Sequence, residues 1–565
     1  MYIRTTTNTA GQKYFHLVES YREGGKVRQR ILMSLGRAGE DRMDEVISAI
    51  GKHKDVLTLI DLAKNISIAD TFILGPLLVL QRLFEQSGID RVLTKIAGKH
   101  SKLGFDFKKL IFTMMAARFV KPGSKLKIFE HWQSRFYPEL LVGDIELHQL
   151  YRALSILSDH KEDVEMDLFW QDRDLLSAEV DVVLYDLTTL RFESTREDMG
   201  KLRRFGYSKE KRSDCTQVVL GLLLRPDGIP VGFEVYPGNT FEGHTIASIV
   251  QKIRDKFKVR RFIFVADRGL FSAKNLEALR GPTPESQSEF IVGMKLGVFK
   301  QRHDEFYDFN KFKRINDELA VYETEHEGDR CIITWSKVRA ERDAKARKDI
   351  LAKIEKKLAS KKVTAKNFVS NSNYQKYLTG LTDGKTPQLN QAAIAQAAKK
   401  DGFFGVITNI KEMDATQIVA NYKNLWIIED AFGEIKGNLK ARPVFHWTDR
   451  NVIGHLTMCF LAYLCESLMT KALRDKNIML ESRAIKEEII KPRALTVVEA
   501  MRELQEVRAI PVQIKSTTMW VRTDIAGNAQ KLFAAIGLKP PPKVLKIIKK
   551  DKNVVAQACP LPITY

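Results

Sequence analysis

Three carboxylates carry the chemistry that this sequence suggests. Asp186 closes the short apolar run Val182-Val-Leu-Tyr-Asp186, Asp267 closes Arg261-Phe-Ile-Phe-Val-Ala-Asp267, and Glu429 sits inside the helical stretch 421–436. Tyr422, Glu429 and Lys436 are spaced by seven, so at 100° per residue each drifts only about 20° from the last and the three share one helix face. Leu425, Ile428 and Phe432 lie close to that face while Trp426 points elsewhere, which leaves Glu429 half-buried among apolar side chains. A carboxylate so placed is costly unless something pairs with it. Hard divalent cations suit it, because they take oxygen ligands and keep open positions for a substrate phosphate. The expectation is two Mg²⁺ or Mn²⁺ ions held jointly by Asp186, Asp267 and Glu429. One would lower the pKa of an attacking water or 3′-hydroxyl and the other would stabilise a leaving 3′-oxygen. Each acid alone is weak evidence, since a strand-end Asp is commonly a turn or cap residue; the three in one strand order are specific.

The elements that must position these acids follow from the change of period near residue 180. Strands are expected at 182–186, 217–224 and 229–236, the last two joined by the turn Arg225-Pro-Asp-Gly228. A helix at 244–257, a strand at 261–267, a helix at 272–280 and a strand at 289–295 come next, and the glutamate helix follows much later. That is the order of a ribonuclease H-like α/β fold, in which Asp186 and Asp267 stand at the carboxyl ends of buried strands, where α/β sheets place their sites. Residues 300–400 read as an insertion domain with a hairpin over 320–336 and a basic helix over 345–362, and 401–409 as the strand that returns to the core. The basic helix suits either a solvated face or a DNA groove. Glu434, five residues beyond Glu429, falls 140° round the helix on the solvent face, and Glu193, Asp198 and Glu242 are lesser carboxylates with surface roles.

The chain as a whole divides into a β-ribbon (1–42), a helical region for DNA binding or dimerisation (43–178), the first part of the catalytic core (179–299), the insertion (300–400), the second part of the core with the glutamate helix (401–475), and a basic C-terminal region (476–565). In the ribbon, Arg22-Glu-Gly-Gly-Lys26 is a hairpin turn, and Arg22, Lys26, Arg28 and Arg30 make it basic. In the helical region a cap at Asp70 opens a helix, and Arg118, Lys121, Lys125 and Lys127 surround a turn at Pro122-Gly123. Those cations suit a DNA-reading module or a bundle used only for packing. His446 and His455, nine apart, read as structural, and a long apolar helix over 452–473 is expected to pack under the sheet. The stretch after Lys539-Pro-Pro-Pro reads as a flexible or docking tail.

Lys plus Arg outnumber Asp plus Glu by 91 to 70, a net charge of +21, which favours a polyanionic partner, nucleic acid first. Cys215, Cys331, Cys459, Cys465 and Cys559 are scattered and contain no Cys-x-x-Cys pair, which argues against a disulfide framework or zinc ribbon and suits the cytoplasm. Residues 1–30 lack a signal-peptide core, and the apolar run at 72–80 is short and broken by Gly75 and Pro76. No Gly-x4-Gly-Lys-Ser/Thr loop is present, so no ATP is implied.

Together these residues resemble the DDE transposases of bacterial insertion sequences, the group whose glutamate helix carries a Tyr-x2-Arg-x3-Glu-x6-Lys signature. Tyr422, Glu429 and Lys436 match it at the right spacing. Val-Leu-Tyr-Asp186-Leu-Thr-Thr, Val-Ala-Asp267-Arg-Gly-Leu-Phe-Ser and Tyr236-Pro-Gly-Asn-Thr-Phe-Glu-Gly-His244 resemble the blocks around the two aspartates. The likeness runs from about 180 to 470. Leu425 replaces the signature arginine and cannot bind phosphate; Lys436, Arg268, Arg442, His244 and Tyr422 are the candidate DNA contacts. The resemblance implies an enzyme that binds the terminal inverted repeats of its element, cleaves DNA at the ends and joins the freed 3′-hydroxyls to target DNA, as a homodimer in the DNA complex. A ribonuclease H-fold nuclease with another role, and an idle DNA-binding derivative, share the same residues.

Overall fold

The structure, a computed structural model, describes residues 2–37, 66–68, 70–141, 143, 145–171, 181–197, 200–208, 212–241, 243, 245–257, 262–281, 287–359, 368, 372–381, 387–480, 484–485, 488–489, 493–514 and 517–549. The chain divides into two compact units, one of 1–72, 508–524 and 541–565, the other of 73–507 and 525–540.

In the first unit, Tyr2–Thr7, Lys13–Glu23 and Lys26–Arg37 form an antiparallel sheet. Its hairpin turns at Gly24 and Gly25, whose φ of 59° and 80° are the left-handed values that a tight hairpin needs and glycine adopts without strain. The expected tail is partly ordered: Val544–Lys549 pairs with Thr517–Arg522, which pairs with Arg508–Ile514, and that strand with Ile66–Ile68. Val-Leu-Lys-Ile-Ile-Lys has the β-branched content of a strand, and Leu545 is buried. Residues 550–565 lie outside the described residues.

The second unit opens with α1 (Gly75–Ser87), α2 (Ile89–Lys99), α3 (Phe107–Val120), α4 (Leu147–Asp159) and α5 (Lys161–Trp170). Asp70 is not the cap of α1. The helix begins at Gly75 with Pro76 in its first turn, where a missing N–H costs nothing. The N–H groups of Leu74 and Gly75 are taken instead by the Val507 carbonyl.

A nine-stranded sheet follows. Its strands are β1 (Asp181–Arg191), β2 (Gln217–Leu224), β3 (Pro230–Pro237), β4 (Phe262–Ala266), β5 (Glu289–Met294), β6 (Lys313–Asn316), β7 (Leu319–His326), β8 (Asp329–Ser336) and β9 (Phe403–Thr408). The order across the sheet is β6-β7-β8-β9-β5-β4-β1-β2-β3. The pairs β1–β4 and β4–β5 are parallel and the rest antiparallel. The strands of residues 313–336 therefore extend the main sheet by way of β9. α6 (Ile246–Phe257) and α7 (Ala273–Arg280) bury Ile249, Ile253, Leu276 and Leu279 in one cluster with Val183, Tyr185, Phe264, Val292 and Ile333. Sheet residues of the opposite parity, such as Leu184, Val265 and Ile291, are equally buried. The helices α9 (Ala415–Lys423), α10 (Trp426–Lys436) and α11 (Asp449–Asp475) contact β5, β1 and β3 respectively. Between β8 and β9 runs α8 (Lys337–Leu358), which starts earlier than the basic stretch expected at 345.

α11 is long and apolar enough to cross a membrane, but 89% of its most apolar window is buried inside the protein. It packs on α4 so closely that a Cβ at Gly454 would lie 1.9 Å from the Leu154 carbonyl oxygen. Gly454→Ala is expected to destabilise the protein by about 1–3 kcal/mol, read as a lower urea midpoint, because two helix backbones would have to part.

Candidate active site

Register brings the two aspartates together. Tyr185 of β1 lies opposite Ala266 of β4 in the parallel pair, and Asp186 and Asp267 are the next residue on each strand. Asp186 is not at the end of its strand, as the sequence suggested. β1 runs on to Arg191 along β2, with Asp186 opposite Leu222; what ends after Tyr185 is the pairing with β4. The chain leaves β4 at Asp267, which has extended backbone and opens a single 3₁₀ turn, Arg268–Leu270. Asp186 has the parity of Leu184, opposite to that of Val183 and Tyr185, which face α6 and α7. Its side chain thus leaves the sheet on the other face.

The expected single helix over 421–436 is broken. α9 ends at Lys423 and α10 begins at Trp426. Between them the N–H groups of Leu425, Ile427 and Ile428 reach back three residues, to Tyr422, Asn424 and Leu425, at 3.1, 2.9 and 3.1 Å. The turn tightens there, while Tyr422 and Glu429 still line one cleft; Lys436 does not line it. Tyr422 instead donates its hydroxyl to Asp267 Oδ1 at 2.8 Å, with its ring against Phe404 at 4.8 Å. Burial, reinforced by the Asp267 charge, pushes the Tyr422 phenol far above its usual range. Room for that hydroxyl comes from Gly293 of β5: a Cβ there would sit 2.5 Å from the Tyr422 oxygen and 2.8 Å from the Arg268 nitrogen. Glu429 lies in the first turn of α10, where the helix dipole favours a carboxylate, and it is exposed rather than half-buried.

Asp186, Asp267 and Glu429 line one cleft of about 630 Å³. Trp426, 53% exposed, lines it too, which corrects the expectation that it points away. So do Arg339 and Arg342, from the first turns of α8, which sequence reasoning missed. Their signal was the direct junction at Ser336-Lys337, where β8 passes into the helix with no loop between. Arg339 stacks on Phe404 at 4.8 Å and lies 3.7 Å from Asp343, and burial lowers its pKa. Cations and carboxylates lining one cleft suit a phosphodiester, whose backbone is anionic and whose reaction places more negative charge at one phosphorus.

The other expected residues are dispersed. Arg268 is exposed on the 3₁₀ turn, and its backbone N–H faces the Tyr422 oxygen. Lys436 is half-buried in the last turn of α10 and does not line this cleft; Arg442 lines a different cavity. Glu193 forms ion pairs with Arg191 and Arg212. His244, Asp198 and Glu242 lie outside the described residues. Glu434 is half-buried rather than on the solvent face; it hydrogen-bonds Asn438 and the buried Glu466 of α11, on the side of α10 away from Glu429. Burial, together with the Glu434 contact, pushes the Glu466 carboxyl up to about 10.

Among the described residues, no three His, Cys, Asp or Glu side chains form a closed set around a metal position. The three acids share a cleft without being a finished cage. Their donor chemistry nonetheless fits a hard divalent ion, since every donor is a carboxylate oxygen and such ions are often held by one or two carboxylates plus substrate phosphate.

Comparison with known proteins identifies the family. Residues 178–465 match the transposase DDE domain, and the chain belongs to that family: it is a DDE transposase, a DNA-binding protein of mixed α/β fold. Residues 3–57 match the N-terminal domain of IS1634 family transposases, which makes it an insertion-sequence enzyme. Among solved structures, a piggyBac transposase synaptic complex with hairpin DNA aligns at a TM-score of 0.37 and 9% identity, covering 78% of this chain and 82% of that one. No curated protein matches.

Two outcomes follow from the packing here. Gly293→Ala should displace the Tyr422 hydroxyl and lower DNA cleavage with a smaller loss of stability than a core deletion, compared by activity and melting on one preparation. Glu466 keeps a proton when folded that it loses when unfolded above its usual carboxylate range, so its contribution makes stability fall as pH rises. Glu466→Gln should remove that slope, gaining on wild type by roughly 1.4 kcal/mol per pH unit at most between about pH 5.5 and pH 8 in urea melts.

Proposed function

We propose that the protein transposes its own element with a ribonuclease H-like core. It binds the terminal inverted repeats, hydrolyses phosphodiesters at the element ends and transfers the 3′-hydroxyls to target DNA. The observation that carries this reading is one cleft lined by Asp186 on β1, Asp267 just past β4, Glu429 on α10, and Arg339 and Arg342, in a sheet whose strands run 3-2-1-4-5. That order of β3-β2-β1-β4-β5, with only β1–β4–β5 parallel, supports the ribonuclease H-like assignment.

Asp186, Asp267 and Glu429 would hold divalent metal, Mg²⁺ or Mn²⁺ and two ions per site, together with the phosphate of the substrate strand. Bound there, the ions supply Lewis-acid activation of the nucleophile and stabilisation of the leaving oxygen. The chain's own residues do the positioning. Tyr422 occupies one lone pair of Asp267 Oδ1 and directs that carboxylate's remaining oxygen lone pairs to the cleft. Arg339 and Arg342 bind phosphates next to the scissile one and compensate charge that develops there. Arg268 is the DNA contact nearest Asp267, while Lys436 and Arg442 meet the backbone farther along. His244 belongs to the same expected DNA-contacting block. Two ends cut together call for a homodimer on DNA, acting in the cytoplasm.

Supplied with its own flanking DNA and Mg²⁺, the wild-type protein should cut at the element boundaries. Glu429→Gln should abolish the cuts without loss of DNA binding, and Glu434→Gln should retain them. Boundary cuts by Glu429→Gln would remove Glu429 from the site. Cuts without boundary preference would leave a nuclease of another role.

A further inference from the structure

A second cavity, of about 500 Å³, opens between the end of α3 and the segment that leads into α11. Its floor is cationic in an unusual way. Arg118, at the end of α3, and Lys125 are only 6% and 2% exposed. Arg118 donates to the carbonyl oxygens of Leu439 and Lys440 at 3.1 and 2.8 Å, and its buried Nε–H has no hydrogen-bond partner. Lys125 Nζ lies 3.1 Å from His455 Nδ1. His455 Nε2 lies 3.1 Å from the Ala441 carbonyl oxygen, which can only accept, so Nε2 carries the hydrogen and Nδ1 accepts from Lys125. One of the three lysine N–H donors is used in this way. No carboxylate lines the cavity among the described residues; its mouth adds the exposed Lys127 and Lys440, and Arg442.

Two buried cations with only neutral dipoles around them are an uncompensated cost, because buried charges in proteins are normally paired. Arg118 cannot discharge, since a guanidinium stays protonated in proteins. Lys125 can: burial, and then the Arg118 charge, push its ammonium well below the usual range. His446 and His455 are driven the same way by burial and by these two cations, so they stand as neutral rings. Neutral walls, a fixed guanidinium with an unused donor and a lysine whose protonated form an anion would favour together make a seat whose missing member is an anion.

We infer that this cavity binds a phosphate group, seated on Arg118 and Lys125 and distinct from the carboxylate cleft. In this basic chain the source we assign is the DNA strand, an assignment that rests on the function proposed above; the phosphate site itself does not. Arg118 and Lys125 donors lining one cavity suit tetrahedral oxygens, and the rim cations suit a strand continuing past them.

The test uses the full chain, with inorganic phosphate as probe and duplex carrying the element end as second ligand. Phosphate should raise the melting temperature of wild type in proportion to the logarithm of its concentration. It should have no such effect on Lys125→Met, which removes the buried cation and should itself melt no lower than wild type. Lys440→Asn guards against misfolding of the buried variant, since Lys440 has a φ of 46° that Asn tolerates well. It should weaken phosphate binding while leaving the unliganded melt unchanged. If DNA supplies the phosphate, inorganic phosphate competes with duplex, and Lys125→Met lowers the slope of log affinity against log salt by about one. Phosphate stabilisation with an unaltered DNA slope supports the site and transfers it to free phosphate, overturning the DNA assignment. Equal phosphate response in wild type and both variants, or none in any of them, overturns the proposal. Asp267→Asn should keep full phosphate binding, so failure of the cleavage mechanism is read separately.

Discussion

The cleft depends on a constraint of charge: three carboxylates line it although like charges repel one another. The sheet holds two of them. Parallel pairing of β1 with β4 makes Asp186 and Asp267 in-register neighbours, and backbone hydrogen bonds on both sides of β1 fix the spacing whatever the charges prefer. The third is looser. Glu429 stands on a helix of its own, in a first turn where the dipole favours its charge, and it remains exposed. The acids are therefore gathered but not closed, a state that under the proposed function metal together with substrate phosphate would complete.

Most of what tunes the cleft comes from elements that look peripheral. The break at Asn424-Leu425 lets Tyr422 reach Asp267 while α10 turns Glu429 to the same cleft. Gly293 on the neighbouring strand leaves the hydroxyl its space. The segment between β5 and β9 contributes cations as well as strands, since α8 starts directly from β8 and brings Arg339 and Arg342 to the cleft. Behind α10, Glu434 contacts the buried Glu466, whose carboxyl burial pushes up to about 10, and Glu434 does not line the cleft.

Much of this was legible in the sequence. The β2 strand was read at its observed bounds, Gln217–Leu224, because an unbroken apolar run beside a Pro-Asp-Gly turn has few other uses. The strand and helix order from 182 to 295 and the candidate acids were legible for similar reasons. What was not legible depended on tertiary hydrogen bonding. Neither glycine nor proline occurs in Lys-Asn-Leu-Trp, so the interruption between α9 and α10 leaves no mark in the periodicity. The start of α8 was hidden because Lys337, Val338 and Arg339 have no apolar stripe of their own. Lys125 and His455 are 330 residues apart, and only the fold shows that one is the other's hydrogen-bond partner.

The central claim is that Asp186, Asp267 and Glu429 jointly surround metal when DNA is bound. The most direct measurement replaces Mg²⁺ by Fe²⁺ in the complex with end DNA and generates hydroxyl radicals with ascorbate and peroxide, so that the polypeptide is cut where the ion sits. Cuts clustered at 186, 267 and 429, dependent on DNA and suppressed by excess Mg²⁺, are the predicted result. Cuts at 186 and 267 without 429, or a pattern indifferent to Mg²⁺, would contradict it.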